Sequence, residues 1–328
     1  MQKILAIDAG GTSTRAVIVD LSGRCLGYGL AGGGNPVSAG IDSAIDSLAT
    51  ATEQAIETAA EGPVSFSSAL MAMAGASAAT SVAQISERFK KLGLTGELVI
   101  ESDLLGTFFS GTFHPQGYAL VAGTGAVAAR IRDGQLDAVA DGMGWLLGDT
   151  GSGYWIGHQV ARAVVAALDG RAPVTGLTGL LLASLQLEET PERVDGRPLV
   201  LQPLIHLLYS LQPIELSRFA PLAFQAQDDH VARGILAAAA SALAGTLAAV
   251  RDPVVDGPVV LGGSVLSSGM LTGATPLAAS LKAALGNAEL IPVRDGVVGA
   301  AVLGLLRAGV PVDREVFDRI GQSVTPLR

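Results

Sequence analysis

Ile4-Leu-Ala-Ile-Asp-Ala-Gly-Gly-Thr-Ser-Thr-Arg-Ala-Val-Ile-Val-Asp20 consists of two apolar runs joined by a polar segment with two adjacent glycines. This pattern predicts a β-hairpin whose turn offers backbone N–H and hydroxyl donors, with the Asp8 carboxylate at its base. Glycine lets a backbone approach an anion closely, and successive N–H groups can hold a phosphate. A carboxylate repels phosphate unless a cation lies between them, so Asp8 indicates Mg²⁺. An ordinary hairpin turn would explain the glycines, but not Asp8 beside three hydroxyl groups.

A second hairpin of the same type is predicted further along the chain. Tyr118-Ala-Leu-Val-Ala-Gly-Thr-Gly-Ala-Val-Ala-Ala-Arg-Ile-Arg-Asp-Gly134 again places a Gly/Thr turn between two strands. Two such hairpins in one chain indicate a duplicated domain. We expect each copy to present a phosphate-binding loop towards a shared cleft.

The composition restricts the classes of function. A chain of 328 residues is long enough for two domains with full hydrophobic cores. The 21 Lys and Arg against 30 Asp and Glu give a net charge of −9, and the chain has no basic run, which argues against nucleic-acid binding. Cys25 is the only cysteine, which excludes a disulfide framework or a cysteine-based zinc site within one chain and indicates a reducing cytoplasm.

Two uncharged segments raise the question of a membrane. Glycines and a proline interrupt residues 257–281, and residues 234–250 fall short of the roughly 20 residues that span a bilayer. Asp8 interrupts the apolar run at the N-terminus, so a signal peptide is not predicted. We expect neither a membrane span nor a targeting segment.

The remaining sequence predicts strands and helices in an order typical of an α/β fold. The first half predicts strands at 24–30, 66–73 and 97–101, and helices at 38–61, at 77–92 and from about Leu104. The second half predicts strands near 117–122, 126–131, 135–140, 258–261 and 289–292, a helical insertion at 153–250 and a helix at 297–307. This order predicts mixed sheets with helices on their faces, and a domain boundary near 114–117.

Two other phosphate-binding folds can be tested on the sequence. The chain contains no G-x-x-x-x-G-K-[ST], so a Walker-type nucleotide site is not predicted. Residues 123–128 match a loose G-x-G-x-x-[GA] dinucleotide fingerprint, but that fold needs a helix to begin there. Val127, Ile131 and the Asp133-Gly134 turn indicate a strand instead, which disfavours a dehydrogenase.

A carboxylate ends the predicted strand Leu98-Val-Ile-Glu-Ser-Asp103, directly before a helix. An aspartate in this place is commonly a helix N-cap. The ends of strands are also where α/β sheets place chemistry, and phosphoryl transfer needs a group that accepts the proton of the attacking hydroxyl. We predict that Asp103 is this general base, a role that capping does not exclude.

The densest motif is Asp141-Gly-Met-Gly-Trp-Leu-Leu-Gly-Asp-Thr-Gly-Ser-Gly-Tyr-Trp-Ile-Gly157, which holds both tryptophans and six glycines. A glycine-rich loop with aromatic side chains suits a polar ring that has an apolar face. The alternative is a tight loop whose tryptophans pack in the core. We expect the alternative for Trp155, which begins a predicted helix.

With these segments the chain resembles the N-acetylglucosamine kinase branch of the BadF/BadG/BcrA/BcrD ATPase family, in the actin-like ATPase and sugar-kinase superfamily. Members share, in order, D-x-G-G-T-x-[ST], G-x-x-N, a [TS]-D strand end, G-T-G-S, G-G-W-G-x-x-x-G-D-E-G-S-x-x-W, G-G-[SV] and D-G-x-x-G-A. The matching segments are Asp8–Thr14, Gly34–Pro36, Ser102–Asp103, Gly123–Gly125, Gly142–Trp155, Gly262–Val265 and Asp295–Ala301.

The resemblance implies two ribonuclease H-like (actin-like ATPase) domains with an interdomain cleft. The N-terminal domain would span residues 1–115, and the C-terminal domain, with its helical insertion, residues 116–328. The implied function is ATP-dependent phosphorylation of N-acetylglucosamine at its 6-hydroxyl with Mg²⁺. We expect a cytoplasmic homodimer that acts on a small sugar and binds neither nucleic acid nor membrane.

The resemblance also implies roles for the residues at the motif positions. Asp8 would organise Mg²⁺, and Asp103 would act as the base. The nucleotide and its phosphates would be held by Gly10, Gly11, Thr12, Thr14, Gly123, Thr124, Gly125, Gly262, Gly263 and Ser264. The sugar would be contacted by Asn35, Asp103, Gly144, Trp145 and Asp149.

Three departures from the family pattern concern the sugar more than the phosphoryl transfer. Ala126 replaces the serine of the second phosphate loop, Met143 interrupts the paired glycines before the tryptophan, and Thr150 replaces a glutamate. We expect the missing carboxylate to change the preference among hexoses.

Other branches and functions can be weighed on the same residues. Zinc-bearing sugar kinases and iron–sulfur activator ATPases are disfavoured, because Cys25 is a lone cysteine and the histidines are scattered. The histidines are His114, His158, His206 and His230. Two alternatives stay open: a kinase for glucosamine or another hexose, and a sensor that binds sugar and ATP without turnover.

Overall fold

The computed structural model describes residues 2–36, 40–59, 64–73, 82–226, 228–271, 275–293 and 295–328. The strands are β1 (Lys3–Ala9), β2 (Thr14–Asp20), β3 (Cys25–Ala31), β4 (Phe66–Met73), β5 (Leu94–Ser102), β6 (Gly117–Ala122), β7 (Ala126–Arg132), β8 (Gln135–Asp141), β9 (Arg193–Val194), β10 (Arg197–Pro198), β11 (Val259–Gly262) and β12 (Leu290–Pro292). The α-helices are α1 (Ile41–Thr58), α2 (Val82–Lys91), α3 (Asp103–Gly111), α4 (Gly153–Leu168), α5 (Leu177–Ser184), α6 (Leu201–Ser210), α7 (Ala220–Gln225), α8 (His230–Val250), α9 (Ser264–Leu271), α10 (Pro276–Leu285), α11 (Gly296–Arg307) and α12 (Arg314–Val324). Two 3₁₀ helices span Pro213–Phe219 and Thr325–Leu327.

The chain forms two compact units. The first comprises Met1–Ala119, Ile131–Leu136 and Val293–Arg328, and the second comprises Leu120–Arg130 and Asp137–Pro292. These units differ from the expected domains of residues 1–115 and 116–328 mainly at the C-terminus, because α11 packs on β1, β4 and α3. The expected domain limits themselves stay a prediction.

A five-stranded sheet in the order β3-β2-β1-β4-β5 organises the first unit. β1 is antiparallel to β2 and parallel to β4, and β4 is parallel to β5. The hairpin predicted for residues 4–20 is therefore confirmed, and its register places Asp8 opposite Arg15.

Helices cover both faces of this sheet, which explains why β1 is apolar without alternation. Leu5 and Ile7 share a buried cluster with Leu48 of α1. Ile4 and Ala6 alternate with them and point to the opposite face, where Gly304 of α11 lies against both. A strand buried on both faces is expected to be a continuous apolar run.

The second sheet has the order β12-β11-β6-β7-β8. Read from β8, this is the same arrangement as in the first sheet: three consecutive strands, then two strands from later in the chain. The duplicated domain that the two hairpins predicted is therefore confirmed at the level of strand order. The predicted helical insertion after β8 comprises α4 to α8, with the short β9–β10 hairpin inside it.

The structure adds elements that the sequence did not predict. Helices α10 and α12 are new, and β5 begins at Leu94 instead of residue 97. The predicted helix starting at residue 77 is described only from Val82, and its first residues lie outside the described ranges.

Among the described helices, α8 alone is long and apolar enough to cross a membrane by length and composition. It has 21 residues because it begins at His230, four residues before the uncharged segment considered on the sequence. The prediction that this segment is too short to span a bilayer is therefore wrong for the helix as a whole. In this structure Leu236, Leu243 and Leu247 of α8 are buried, and the helix packs against α10.

Candidate active site

The first predicted phosphate loop connects β1 and β2. Gly11 and Thr12 are exposed at its tip, where a ligand can reach their backbone N–H groups. The N–H of Gly10 donates to the carbonyl of Ser13 at 3.0 Å, which closes the turn. Thr14 is fully buried, and its hydroxyl donates to the carbonyl of Gly32 at 2.8 Å. Thr14 therefore anchors the loop through its hydroxyl, and its predicted role towards the nucleotide stays a prediction.

Asp8 lies near the end of β1 in mostly buried surroundings. Its Oδ2 is 3.5 Å from an Nη of Arg15 on the neighbouring strand, an ion pair that follows from the hairpin register. Burial raises the pKa of Asp8 from 3.8 to about 6; Arg15 opposes this change, and the charge of Asp103 adds to it. A carboxylate with this environment gains by binding a cation.

The start of α11 lies directly against Asp8. A side-chain carbon on Gly296, the first residue of α11, would overlap the Asp8 carboxylate. The absence of a side chain therefore lets the N-terminus of a helix, with its partial positive charge, approach the carboxylate. The Asp295-Gly motif was noted in the sequence, but its proximity to Asp8 was not predicted, because about 290 residues separate them.

Asp103 is the first residue of α3, and Ser102 is the N-cap. The hydroxyl of Ser102 accepts a hydrogen bond from the N–H of Leu104 at 3.2 Å. The N-terminus of α3 therefore does not depend on Asp103 for its cap. Burial raises the pKa of Asp103, although hydrogen bonds from the N–H of Leu104 and the Ser102 hydroxyl oppose the change. A buried carboxylate with a raised pKa suits a proton acceptor.

The described residues contain no group of three or more His, Cys, Asp or Glu side chains that could enclose a metal ion. Mg²⁺ does not need one, since it commonly binds one or two carboxylates and takes its other ligands from water and substrate phosphates. Asp8, with its raised pKa and the second carboxylate nearby, fits such a site.

The second predicted phosphate loop lines a cavity in the second unit. The cavity has a volume of about 370 Å³ and is lined by Gly123, Thr124, Gly153, Ser264 and Val265, among others. The N–H of Gly153 donates to the carbonyl of Gly123 at 2.7 Å, and the N–H of Tyr154 donates to that of Thr124 at 3.1 Å. Three predicted nucleotide residues, Gly123, Thr124 and Ser264, are therefore brought together although up to 141 positions separate them.

The residues that form the remaining wall of this cavity were not predicted from the sequence. They come from the 3₁₀ helix and α7, namely Ser217, Ala220, Pro221, Phe224 and Gln225. The segment has no glycine-rich or charged motif, and only its contact with α4 reveals its place. An aromatic ring beside a phosphate loop is suited to a nucleobase.

The predicted sugar-binding segment connects β8 to α4. Asp149 is buried, and its Oδ1 accepts the N–H of Ala126 at 2.9 Å, so it holds the second phosphate loop. Burial raises the pKa of Asp149; the N–H of Ala126 opposes this change and Asp141 adds to it. Gly144 is half-buried and Trp145 is 41% exposed.

Trp145, which precedes α4, contacts a pair of stacked rings on that helix. Its ring meets Tyr154 edge-on at 6.0 Å, and Tyr154 stacks on His158 at 5.7 Å. These three side chains line a second cavity of about 950 Å³. Trp155 is half-buried, between the core position that we expected and an exposed one.

The predicted sugar contacts lie in both units. Asn35 and Asp103 are in the first unit, and Gly144, Trp145 and Asp149 are in the second. The predicted nucleotide residues Gly262 and Gly263 are in the second unit, at the end of β11 and before α9. Their roles towards ligands stay predictions.

Comparison with known proteins identifies relatives over nearly the whole chain. The model of the BadF/BadG/BcrA/BcrD ATPase family matches residues 5–304. The N-acetyl-D-glucosamine kinase of Dictyostelium discoideum is 29% identical over 323 residues, which cover 92% of this chain and 97% of that protein. A glucosamine kinase of Vibrio cholerae is 28% identical over 182 residues, which cover 56% of this chain and 61% of that protein.

A solved structure confirms the fold class. The structure of a candidate N-acetylglucosamine kinase from Chromobacterium violaceum matches with a TM-score of 0.68 and 23% identity, covering 93% of this chain and 99% of that chain. At this level of identity the match concerns the fold alone.

Proposed function

The chain belongs to the BadF/BadG/BcrA/BcrD ATPase family, and from this membership we propose that it is an ATP-dependent amino-sugar kinase. The acceptor that we propose is the 6-hydroxyl of N-acetylglucosamine. The observation that carries the proposal is the cavity of about 370 Å³, where a Gly-Thr-Gly loop, the start of α4 and the start of α9 meet. Backbone N–H groups and a hydroxyl beside an apolar wall suit the phosphates and the base of a nucleotide.

The first unit supplies the groups that the acceptor needs. Asp103 takes the proton of the sugar hydroxyl as the hydroxyl oxygen bonds to the γ-phosphorus. The bond between that phosphorus and the bridging oxygen breaks, and ADP leaves. The mostly buried position and raised pKa of Asp103 support its role as the proton acceptor.

Asp8 would hold Mg²⁺ with the help of water and the nucleotide phosphates. The ion, when bound, supplies positive charge that offsets the charge of the phosphates during transfer. Gly11 and Thr12, exposed at the tip of the first loop, would contribute N–H donors to the same phosphates. Asp8 would also keep its ion pair with Arg15, which neutralises part of its charge before the ion arrives.

The choice of sugar rests on the segment between β8 and α4. Thr150 stands where the motif of the resembled family has a glutamate, so a partner for the ammonium group of glucosamine is missing. Exposed Met143 and Trp145 offer apolar surface for an acetyl methyl. A methyl group in a pocket is worth roughly 1–3 kcal/mol, so we expect a preference of about 10–200-fold. Glucosamine is the second candidate substrate, because the relative from Vibrio cholerae is named a glucosamine kinase.

An ATP-consumption assay tests the proposal. The purified protein is offered Mg²⁺ and ATP with N-acetylglucosamine, glucosamine, N-acetylmannosamine and glucose in turn. We expect turnover with the amino sugars, the highest kcat/KM for N-acetylglucosamine, and no turnover after chelation of Mg²⁺. Folded protein that binds ATP but phosphorylates none of these sugars would favour the sensor; a higher kcat/KM for glucosamine would reverse the sugar assignment alone.

The proposal includes a cytoplasmic location and a homodimer. Cys25, the only cysteine of the chain, is buried and free, and such sparse use of cysteine is typical of a reducing compartment. Tyr209 and Val174 are each 87% exposed, but single exposed apolar side chains are normal on a monomer, so the homodimer rests on the family resemblance alone. Light scattering after size exclusion measures the mass of the assembly.

A further inference from the structure

Two aspartates at the sugar-binding segment have an unusual backbone conformation. The φ angles of Asp141 and Asp149 are 65° and 60°. Side chains other than glycine seldom adopt this region, although aspartate and asparagine do so more readily than others. Such conformations persist where the surrounding contacts hold them, and they are common at functional sites.

The two side chains form a chain of hydrogen bonds. Oδ1 of Asp141 accepts the N–H of Asp149 at 2.9 Å. Oδ1 of Asp149 in turn accepts the N–H of Ala126 at 2.9 Å, directly after Gly125 of the second phosphate loop. Asp141 therefore fixes the backbone of the residue whose side chain holds the phosphate loop.

Two glycines make room for these carboxylates. A side-chain carbon on Gly148 would overlap Oδ1 of Asp141, and one on Gly125 would lie 2.9 Å from Oδ1 of Asp149. Neither carboxylate could keep its place if the facing glycine carried a side chain. Gly148 therefore leaves space for the carboxylate of Asp141, and Gly125 leaves space for that of Asp149.

Asp149 has a second oxygen to offer. Its Oδ2 has no hydrogen-bond partner among the residues that the structure describes. A carboxylate can accept on both oxygens at once. One oxygen of Asp149 can thus bind a sugar hydroxyl while the other stays on the phosphate loop.

We propose that Asp141 is a positioning residue that couples sugar binding to the second phosphate loop through Asp149. A hydroxyl on Oδ2 would hold the Asp149 side chain still, and with it the N–H groups of Gly125 and Ala126. The sugar and the nucleotide should then bind cooperatively, each raising the affinity for the other by the same factor. The identity of the two ligands rests on the proposed function; the hydrogen bonds do not.

Calorimetry tests the coupling with Mg²⁺ and a non-hydrolysable ATP analogue, with and without N-acetylglucosamine. We expect the sugar to tighten analogue binding about tenfold in the wild type. Asp141→Ala removes the acceptor and disfavours the required φ angle. In this variant we expect analogue binding about tenfold weaker without sugar, no tightening by sugar, and kcat lower by about 10²-fold.

Three matched variants separate this role from general damage. Asp141→Asn keeps a carbonyl oxygen and tolerates the same φ angle, so it should stay within about threefold of the wild type. Asp195→Ala removes an exposed aspartate with a φ angle of 51° from the β9–β10 turn and should behave as the wild type. Gly148→Ala keeps Asp141 but displaces its carboxylate, so it should weaken analogue binding and abolish the tightening by sugar as Asp141→Ala does. If Asp141→Ala does not fold, Gly148→Ala tests the positioning role in its place.

The outcomes distinguish this proposal from the proposed function. Folded Asp141→Ala and Gly148→Ala that keep wild-type analogue affinity would overturn the positioning role. Analogue affinity in the wild type that is independent of sugar would overturn the coupling. A wild type that binds the analogue but phosphorylates no amino sugar contradicts the proposed function alone, and the analogue affinities without sugar still decide the role of Asp141.

Discussion

Asp8 and Asp103 are both mostly buried carboxylates of the first unit, but their neighbours differ. Asp8 faces the guanidinium of Arg15. The groups that lower the pKa of Asp103 are backbone N–H groups and the Ser102 hydroxyl, none of which carries a charge. Burial raises the pKa of both carboxyl groups, but only Asp8 has a cation beside it, and that cation favours its ionised form. These surroundings support the metal role for Asp8 and the base role for Asp103.

Substitution of Asp103 tests the base at this scale. Asp103→Asn keeps the shape of the side chain and leaves the Ser102 cap in place, but it cannot take the proton. We expect kcat to fall about 10²–10⁴-fold while ATP binding stays near normal, measured by steady-state kinetics and calorimetry. Asp42→Asn is the matched control, because Asp42 lies exposed in the first turn of α1. If the Asp103 variant keeps most of its activity, Asp103 is not the base.

The raised pKa of Asp8 predicts a stability effect that depends on pH. The folded protein holds the proton more tightly than the unfolded chain, so the free energy of unfolding falls as pH rises from 3.8 through about 6. Above this range the ionised side chain costs about 3 kcal/mol relative to a neutral one. Asp8→Asn should therefore stabilise the metal-free protein at neutral pH while abolishing activity.

Urea denaturation with a chelator present measures this effect. We expect the gain of Asp8→Asn at neutral pH to disappear well below pH 3.8, where Asp8 is protonated in both the folded and the unfolded state. The exposed Asp42→Asn should show no gain at either pH. An Asp8 variant that is less stable than the wild type at neutral pH would mean that the ion pair with Arg15 outweighs the cost of burial.

At the scale of elements, α3 and α11 pack closely because Gly106 and Gly299 lie where the two helices meet. A side-chain carbon on Gly299 would overlap the carbonyl oxygen of Gly106. The Ser110 hydroxyl donates to that carbonyl at 2.7 Å and accepts the N–H of Gly299 at 3.0 Å. This close approach joins the helix that begins at Asp103 to the helix whose start lies against Asp8.

Gly299→Ala should push these helices apart. We expect a loss of about 1–3 kcal/mol in the free energy of unfolding, since the neighbouring atoms are backbone and cannot rotate away. Gly321→Ala is the control, because nothing lies within 4 Å of the added carbon and alanine favours the helix α12. Thermal melting compares the two, and equal melting temperatures would contradict the close approach.

At the scale of the whole molecule, the cavity proposed to bind the nucleotide is assembled from segments distant in sequence. Residues 123–124, 153, 217–225 and 264–265 line one space in the second unit. A ligand there should slow hydrogen exchange in all of these segments together, because binding stabilises the local folded state.

Hydrogen exchange with Mg²⁺ and the ATP analogue checks this expectation. Protection should extend to residues 217–225, which no sequence motif marks, while the exposed β9–β10 turn serves as an internal control and should not change. Protection confined to 123–125 would show that α7 does not take part in nucleotide binding.

Local patterns predicted the parts of this protein whose causes are local. The β1–β2 hairpin follows from two apolar runs and a glycine turn, and Asp8 and Asp103 lie at strand ends because the residues around them set those ends. The order of motifs also indicated the family. In each case neighbours within a few residues carry the physical cause, so spacing and residue type suffice.

Tertiary structure decided everything that depends on distant partners. Thr14 follows a hydroxyl-rich loop, but only the tertiary structure shows that its hydroxyl donates a hydrogen bond to the carbonyl of Gly32. Phe224 lines the proposed nucleotide cavity, and α11 belongs to the first unit, because each contacts segments far away in the sequence. The sequence by itself determined the hairpins, the fold class and the chemistry available at their ends. Which side chains remain free for ligands was decided by the hydrogen bonds and burial that arise once distant segments pack.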